Sequence, residues 1–130
     1  MRTVRLLFCV AYAVLLTMLL LVPQPAKLLG LRRIPMLPWG DIGIHFTAFT
    51  ILTLLVHCLR WPTRVRWPIV AALLAYGLVI ESLQVFVPSR SVELLDYLEN
   101  MLGVAVGTGI YCLARRLIRS SSTSPSEKKL

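Results

Sequence analysis

Four long apolar blocks, separated by short polar segments, account for most of the 130 residues of this chain. Each block is close to the roughly 20 residues that an α-helix needs to cross the hydrocarbon core of a bilayer. The pattern therefore predicts an all-α, integral membrane bundle of four transmembrane helices within residues 1–118. The predicted spans are residues 4–22, 41–59, 67–87 and 94–118.

Proline and glycine residues mark the ends of these blocks. Pro35, Pro38 and Gly40 interrupt the chain before the second block, and Pro88 ends the third. Pro68 suits the first turn of the third helix, because N–H groups in that turn have no partner within the helix and the missing N–H of proline costs nothing there. The first block also resembles a signal peptide, but its apolar run exceeds the usual ~7–15 residues. We therefore expect a retained helix.

Composition excludes several other classes of protein. Hydrophobic residues make up 57% of the chain and charged residues only 15%, too few for the surface of a soluble domain. The basic residues that give the net charge of +8 lie between the apolar blocks. In such positions they act as topology signals and contact lipid head groups. No basic face carries interleaved aromatic residues, so we expect membrane lipids, and no nucleic acid, as partners.

The basic residues also predict an orientation. Ten lie on the side that holds both termini and the second connection, and four lie on the other side. Because cytoplasmic loops are enriched in Lys and Arg, both ends are expected in the cytoplasm. Residues 119–130 are Ser-rich and charged, so they are predicted to form a disordered cytoplasmic tail. The expected location is a bacterial cytoplasmic membrane, which the chain crosses more than once.

Polar residues recur at helical spacing on three of the four blocks. Charged groups inside a span cost at least about 2.5–3.5 kcal/mol each, so they usually face a bundle interior and serve a function. Their similar depth near one end of each helix predicts one convergent, outward-facing cluster. Arg90, in the short outer loop, is the cation expected to balance the carboxylates. The cluster is predicted to contain Asp41, His45, Glu81, Gln84, Asp96 and Asn100.

Three motifs in chain order resemble the VanZ-like family of small bacterial integral membrane proteins. They are Asp41-x3-His45-Phe46, Glu81-Ser-Leu-Gln84 before Pro-Ser-Arg90, and Asp96-x3-Asn100-x2-Gly103-x3-Gly107. The resemblance covers roughly residues 41–107. It implies an envelope-related role, since the family's namesake is associated with resistance to the glycopeptide teicoplanin. One departure is Ile42, which stands where the family commonly has Lys.

Several interpretations of the cluster remain open. It could bind an amphipathic envelope molecule such as a lipid-linked precursor or a lipoglycopeptide, or it could only lock the helices together. It could also be catalytic, with Asp41, His45 and Glu81 as acid, base and orienting group, but no nucleophile motif accompanies them.

Other candidate features are less informative. One histidine among carboxylates is a thin ligand set for zinc, so neither a metal nor a cofactor is expected. Gly103 and Gly107 form a small-residue surface for helix packing, within the bundle or in a homo-oligomer. His57 is expected near the cytoplasmic interface, away from the cluster.

Overall fold

A computed structural model describes residues 2–22, 43–88 and 94–121. Within these ranges the chain forms four α-helices and no strand, which confirms the all-α prediction. Three of these helices are long and apolar enough to cross a membrane: Arg2–Leu21, Thr63–Gln84 and Leu94–Ser121. The helices are α1 (Arg2–Leu21), α2 (Ile44–His57), α3 (Thr63–Gln84) and α4 (Leu94–Ser121).

Helix α2 is shorter than the predicted span of residues 41–59. Its 14 residues extend about 21 Å, less than the ~30 Å of a hydrocarbon core. Gly43 precedes the helix with a φ of 101°, a left-handed conformation that glycine adopts without steric cost. Arg60, three residues beyond the helix, also has a positive φ of 56°. Backbone turns at both ends therefore limit α2 to Ile44–His57.

Helix α3 begins earlier than predicted, at Thr63 instead of residue 67. Pro62 takes the position before the helix, and Pro68 consequently lies inside it. The prediction that Pro68 belongs to the first turn is therefore wrong, and its missing N–H cannot bond the carbonyl of Arg64. At the other end α3 stops at Gln84, ahead of Pro88, while α4 continues three residues past the predicted residue 118.

Contacts between α1 and α2 show that these helices run in opposite directions. The Arg5 guanidinium donates to the carbonyl of Cys58 at 3.3 Å, so the start of α1 lies beside the end of α2. Further along, Tyr12 Oη donates to the carbonyl of Ala48 at 3.1 Å. Residues later in α1 therefore face residues earlier in α2.

Helices α3 and α4 are antiparallel as well. Asn100 near the start of α4 bonds Glu81 near the end of α3, and Arg66 contacts Cys112 at their other ends. The start of α4 bonds the start of α2 and the middle of α4 bonds the end of α2, so these two helices run in the same direction. The four helices therefore alternate in direction, and the bundle has two distinct ends. We call the end that holds Glu81 and Asn100 the polar end. The end that holds Arg5 and Arg66 is the basic end.

Helices α2 and α4 form the most extensive contact in the bundle. The contact depends on two glycines of α4. A Cβ atom on Gly103 would lie 2.6 Å from the carbonyl oxygen of Phe46, and one on Gly107 would lie 2.8 Å from Thr53 Cβ. Only glycine leaves room for backbones this close. The small-residue surface of α4 is therefore covered by α2 of the same chain.

The bundle has a small apolar core and an apolar exterior. Phe49, Leu52, Ile80 and Val104 are almost completely buried where α2, α3 and α4 meet. Large apolar side chains, among them Phe8, point away from the bundle on all four helices. In water such a surface would be unfavourable, but in a bilayer it contacts lipid chains.

Candidate functional site

His45 lies at the centre of a polar cluster contributed by three helices. Its Nδ1 atom is 3.2 Å from Asn100 Oδ1 and 3.2 Å from Glu81 Oε1, and its Nε2 atom is 3.7 Å from Asp96 Oδ2. Asn100 Nδ2 donates to Glu81 Oε1 at 2.9 Å. We call these four residues the polar cluster. The structure thus brings together four of the residues that the sequence predicted to converge.

The polar cluster is buried, with one more accessible member. His45, Glu81 and Asn100 expose 4%, 2% and 1% of their surface, whereas the Asp96 side chain exposes 17%. Gly77, one turn before Glu81, allows this burial, since a Cβ there would lie 3.2 Å from Asn100 Cβ. The absence of a side chain at position 77 lets α3 approach α4. Asp96 is therefore the member through which a ligand could reach the cluster.

Glu99 is a polar-end residue that is not among those predicted from the sequence to form the cluster. Its Oε2 atom accepts hydrogen bonds from the backbone N–H groups of Gly43 at 2.8 Å and Phe46 at 3.4 Å. Gly43 has no side chain that could cap α2, so a carboxylate from α4 does this instead. The available sequence signal was its position three residues after Asp96, which places both on one side of α4.

Gln84 extends the polar end toward α1. Its Nε2 atom donates to the carbonyl of Leu20 at 3.2 Å, and the side chain is fully buried. The sequence predicts polar-end residues on the last three helices only. The contact of Gln84 with α1 is therefore a finding of the structure. Two other predicted site residues, Asp41 and Arg90, lie outside the described residues, and their roles stay predictions.

Some hydrogen-bonding capacity at the polar end is unused. Within the described residues, three buried side-chain oxygens have no hydrogen-bond partner: Glu81 Oε2, Gln84 Oε1 and Glu99 Oε1. All three are acceptors, so a group that complements them must donate hydrogen bonds or carry positive charge. The arginines of α1, α3 and α4 lie toward the basic end, far along the helices from these atoms.

The arrangement is suited to two kinds of chemistry. One ligand atom each from His45, Glu81 and Asp96 lie within 4.8 Å of one another, a spacing compatible with a shared cation. Alternatively, an imidazole between two carboxylates could accept and donate protons. A serine nucleophile does not accompany them among the described residues, since Ser82 is exposed and bonds the carbonyl of Leu78 in its own helix.

His57 belongs to a separate group near the basic end. It is 2% exposed and stacks on Tyr111 with ring centroids 4.6 Å apart. Its Nε2 atom lies 3.3 Å from Thr108 Oγ1. His57 therefore packs against α4 from the end of α2, and Thr108 is the partner of its Nε2 atom.

Most of the chain matches a known protein family. Residues 7–115 match the family described as VanZ/LLP1. The chain belongs to the VanZ/LLP1 family. This confirms the resemblance, and the match also includes most of α1, which carries none of the motifs. With three helices able to cross a bilayer, this family member is a membrane protein. No curated protein and no solved structure matches the chain.

Proposed function

We propose that this VanZ/LLP1 protein binds an amphipathic molecule of the bacterial cell envelope in the cytoplasmic membrane. The candidates are an envelope lipid, a lipid-linked precursor and a lipoglycopeptide. The polar head would bind at the polar cluster, and the acyl chain would lie along the apolar exterior of the helices. The observation that carries the proposal is the buried oxygen Glu81 Oε2, which has no partner among the described residues.

This oxygen favours ligand binding over a purely structural role. A polar network that only holds helices together is expected to satisfy its buried atoms, because each unsatisfied group costs about 1–3 kcal/mol. Glu81 Oε1 contacts both Asn100 and His45, whereas Oε2 of the same buried carboxylate has no hydrogen-bond partner among the described residues. A ligand that donates to Oε2 would remove that cost.

The unused acceptors also describe the head group. Sugar hydroxyls and ammonium groups donate hydrogen bonds, so both complement the oxygens of Glu81, Gln84 and Glu99. A phosphate or carboxylate on the same head group would need basic partners. Arg90 and the basic residues of the preceding outer loop are the candidates for that contact. Lipid-linked sugars and lipoglycopeptides combine both kinds of group with an acyl chain.

Lipid analysis of the purified protein tests the proposal. Wild type, Glu81→Gln and Thr53→Val would be purified from membranes of one host, and the bound lipids identified by mass spectrometry. Thr53→Val is the matched control, because it removes a buried hydrogen bond of α2 remote from Glu81. We expect one lipid class enriched in wild type and Thr53→Val but lost in Glu81→Gln. Equal lipid content in all three proteins would support the structural role.

Teicoplanin susceptibility supplies a test in cells. Arg90→Ala and Asp96→Asn, expressed at wild-type levels, are expected to abolish any tolerance that the wild-type protein provides. Both substitutions are also expected to reduce binding of the lipid found by mass spectrometry. If both variants retain wild-type tolerance and lipid binding, the proposed site is not used.

Catalysis is the second candidate function, and the position of His45 favours it. The imidazole lies between the carboxylates of Glu81 and Asp96, which could relay a proton to a lipid-linked substrate. An enzyme would convert the bound lipid on incubation, whereas a binding protein would release it unchanged. Incubation of the purified protein with that lipid, followed by mass spectrometry, separates these outcomes.

A further inference from the structure

We propose that His45, Glu81 and Asp96 bind a divalent transition-metal ion of the Mn²⁺ or Zn²⁺ type. The proposal deepens the function proposed above, since such an ion could join the carboxylates of the polar end to a phosphate-bearing head group. Metal binding itself requires no lipid. It is therefore tested with the metal alone, and the two proposals can fail separately.

The geometry of three side chains from three helices carries this inference. Their ligand atoms lie within 4.8 Å of one another. The distance of 3.7 Å from His45 Nε2 to Asp96 Oδ2 is long for a hydrogen bond. Two ligands that each lie about 2.1 Å from one ion are about 3.0–3.6 Å apart at the usual coordination angles. A small movement of Asp96 would therefore bring its Oδ2 atom and His45 Nε2 to the separation of two ligands on one ion.

The other ring nitrogen of His45 has the contacts that a metal-binding histidine requires. Metal-ligating histidines almost always donate their second N–H to a carboxylate or carbonyl, which fixes the tautomer and the ring orientation. His45 Nδ1 lies 3.2 Å from the side-chain carbonyl oxygen of Asn100, which can accept that N–H and leaves Glu81 available as a ligand. With Nδ1 protonated and held there, Nε2 keeps its lone pair toward Asp96.

Glu81 provides an independent observation that a positively charged ligand belongs here. Its side chain is 3% exposed, and Oε2 has no hydrogen-bond partner within the described residues. Oε2 shares a carbon with Oε1, which contacts His45, so both oxygens border the three-residue group. A buried carboxylate oxygen without a partner is costly, and coordination to a cation would offset that cost.

The ligand types restrict the metal. Imidazole with carboxylates suits Zn²⁺ and Mn²⁺, whereas sites for Cu⁺ and iron–sulfur clusters use sulfur ligands. Zinc sites that bind substrate have three protein ligands and leave one position open. His45, Glu81 and Asp96 would supply three ligands, and the partial exposure of Asp96 leaves a side from which a phosphate oxygen could approach.

Metal binding is tested on the full chain in detergent, after removal of any affinity tag and treatment with a chelator. MnCl₂ and ZnCl₂ are titrated separately by calorimetry, and bound metal is measured by elemental analysis after gel filtration. We expect about one ion per chain for wild type. Asp96→Asn and His45→Gln are expected to bind at least about tenfold more weakly.

Two controls keep the proposal falsifiable. His57→Gln removes the other histidine, which bonds Thr108 near the basic end and lies outside the three-residue group, and it should retain one ion per chain. With Mn²⁺ bound, pulsed electron paramagnetic resonance should detect a nitrogen coupling that His45→Gln eliminates. The proposal is overturned by wild-type protein without stoichiometric metal, by undiminished binding in Asp96→Asn, or by a nitrogen coupling that persists in His45→Gln.

Discussion

The side-chain amide of Asn100 joins Glu81 to His45. Its Nδ2 atom donates to Glu81 Oε1 at 2.9 Å, while its Oδ1 atom lies 3.2 Å from His45 Nδ1. One amide on α4 thereby positions a carboxylate on α3 and an imidazole on α2. An ionised aspartate of the same shape has only acceptors and a leucine has neither, so neither residue could make both contacts.

Exchanging the amide and the carboxylate tests this relationship. Asn100→Asp would place a second carboxylate 2.9 Å from Glu81 in a buried site, and should reduce the free energy of unfolding by about 3–5 kcal/mol. Adding Glu81→Gln restores one donor–acceptor pair, so the double variant should recover most of the loss. Unfolding in mixed detergent micelles measures both. A double variant as unstable as Asn100→Asp would contradict the pairing.

Replacing glycine with alanine should affect stability differently at two positions of α4. Gly103→Ala should destabilise the bundle by about 1–3 kcal/mol, because its Cβ would lie 2.6 Å from the carbonyl oxygen of Phe46. At Gly109 no atom of the described residues lies within 4 Å of an added Cβ. Gly109→Ala should therefore be neutral or stabilise the helix by up to about 1 kcal/mol. Thermal unfolding in detergent compares them, and equal losses would refute the close α2–α4 contact.

Removal of the Glu99 carboxylate should loosen the start of α2. Glu99→Leu leaves the N–H groups of Gly43 and Phe46 without their acceptor, at an expected cost of about 1.5–3 kcal/mol. Glu99→Gln keeps a carbonyl acceptor and loses only the charge, so roughly half that cost is expected. Hydrogen exchange provides the local measurement. Amides 43–46 should exchange fastest in the leucine variant, and unchanged exchange there would exclude the cap.

A hydroxyl pair attaches α1 to α3. Thr17 Oγ1 and Tyr76 Oη lie 2.6 Å apart, and both contact the carbonyl of Ala13. Hydrogen bonds between membrane helices contribute on average about 0.6 kcal/mol and at most about 1.7 kcal/mol. A double-mutant cycle of Thr17→Val and Tyr76→Phe should give a coupling energy in that range. Strictly additive effects would show that the pair does not contribute to stability.

The predicted orientation is tested with reporter fusions. Alkaline phosphatase should be active when fused within residues 24–34 and inactive when fused after Arg64 or at the C-terminus. A fluorescent protein that folds only in the cytoplasm should give the reverse pattern. Active phosphatase after Arg64 would show that the chain is inserted with its basic end outward.

The sequence by itself determined the fold class and predicted the four residues of the polar cluster. A bilayer requires long apolar helices, so the lengths of the blocks predicted the all-α fold. Helical periodicity put Glu81 and Asn100 on the inward faces of their helices, and a polar residue in a membrane has few alternatives to another polar residue. These constraints act within one helix and are visible in a linear pattern.

Only the tertiary structure decided which partners these faces meet and where α2 begins. Gln84 lies one turn from Glu81 but bonds α1. Glu99 caps α2 by accepting from the N–H of Gly43, which lies 56 residues earlier in the chain. Periodicity specifies the face on which a residue lies, whereas the neighbour of that face depends on the order and relative depth of the helices. That depth follows from the close packing of Gly103 and Gly77 against neighbouring helices. The linear pattern shows these glycines but does not identify the residues that pack against them.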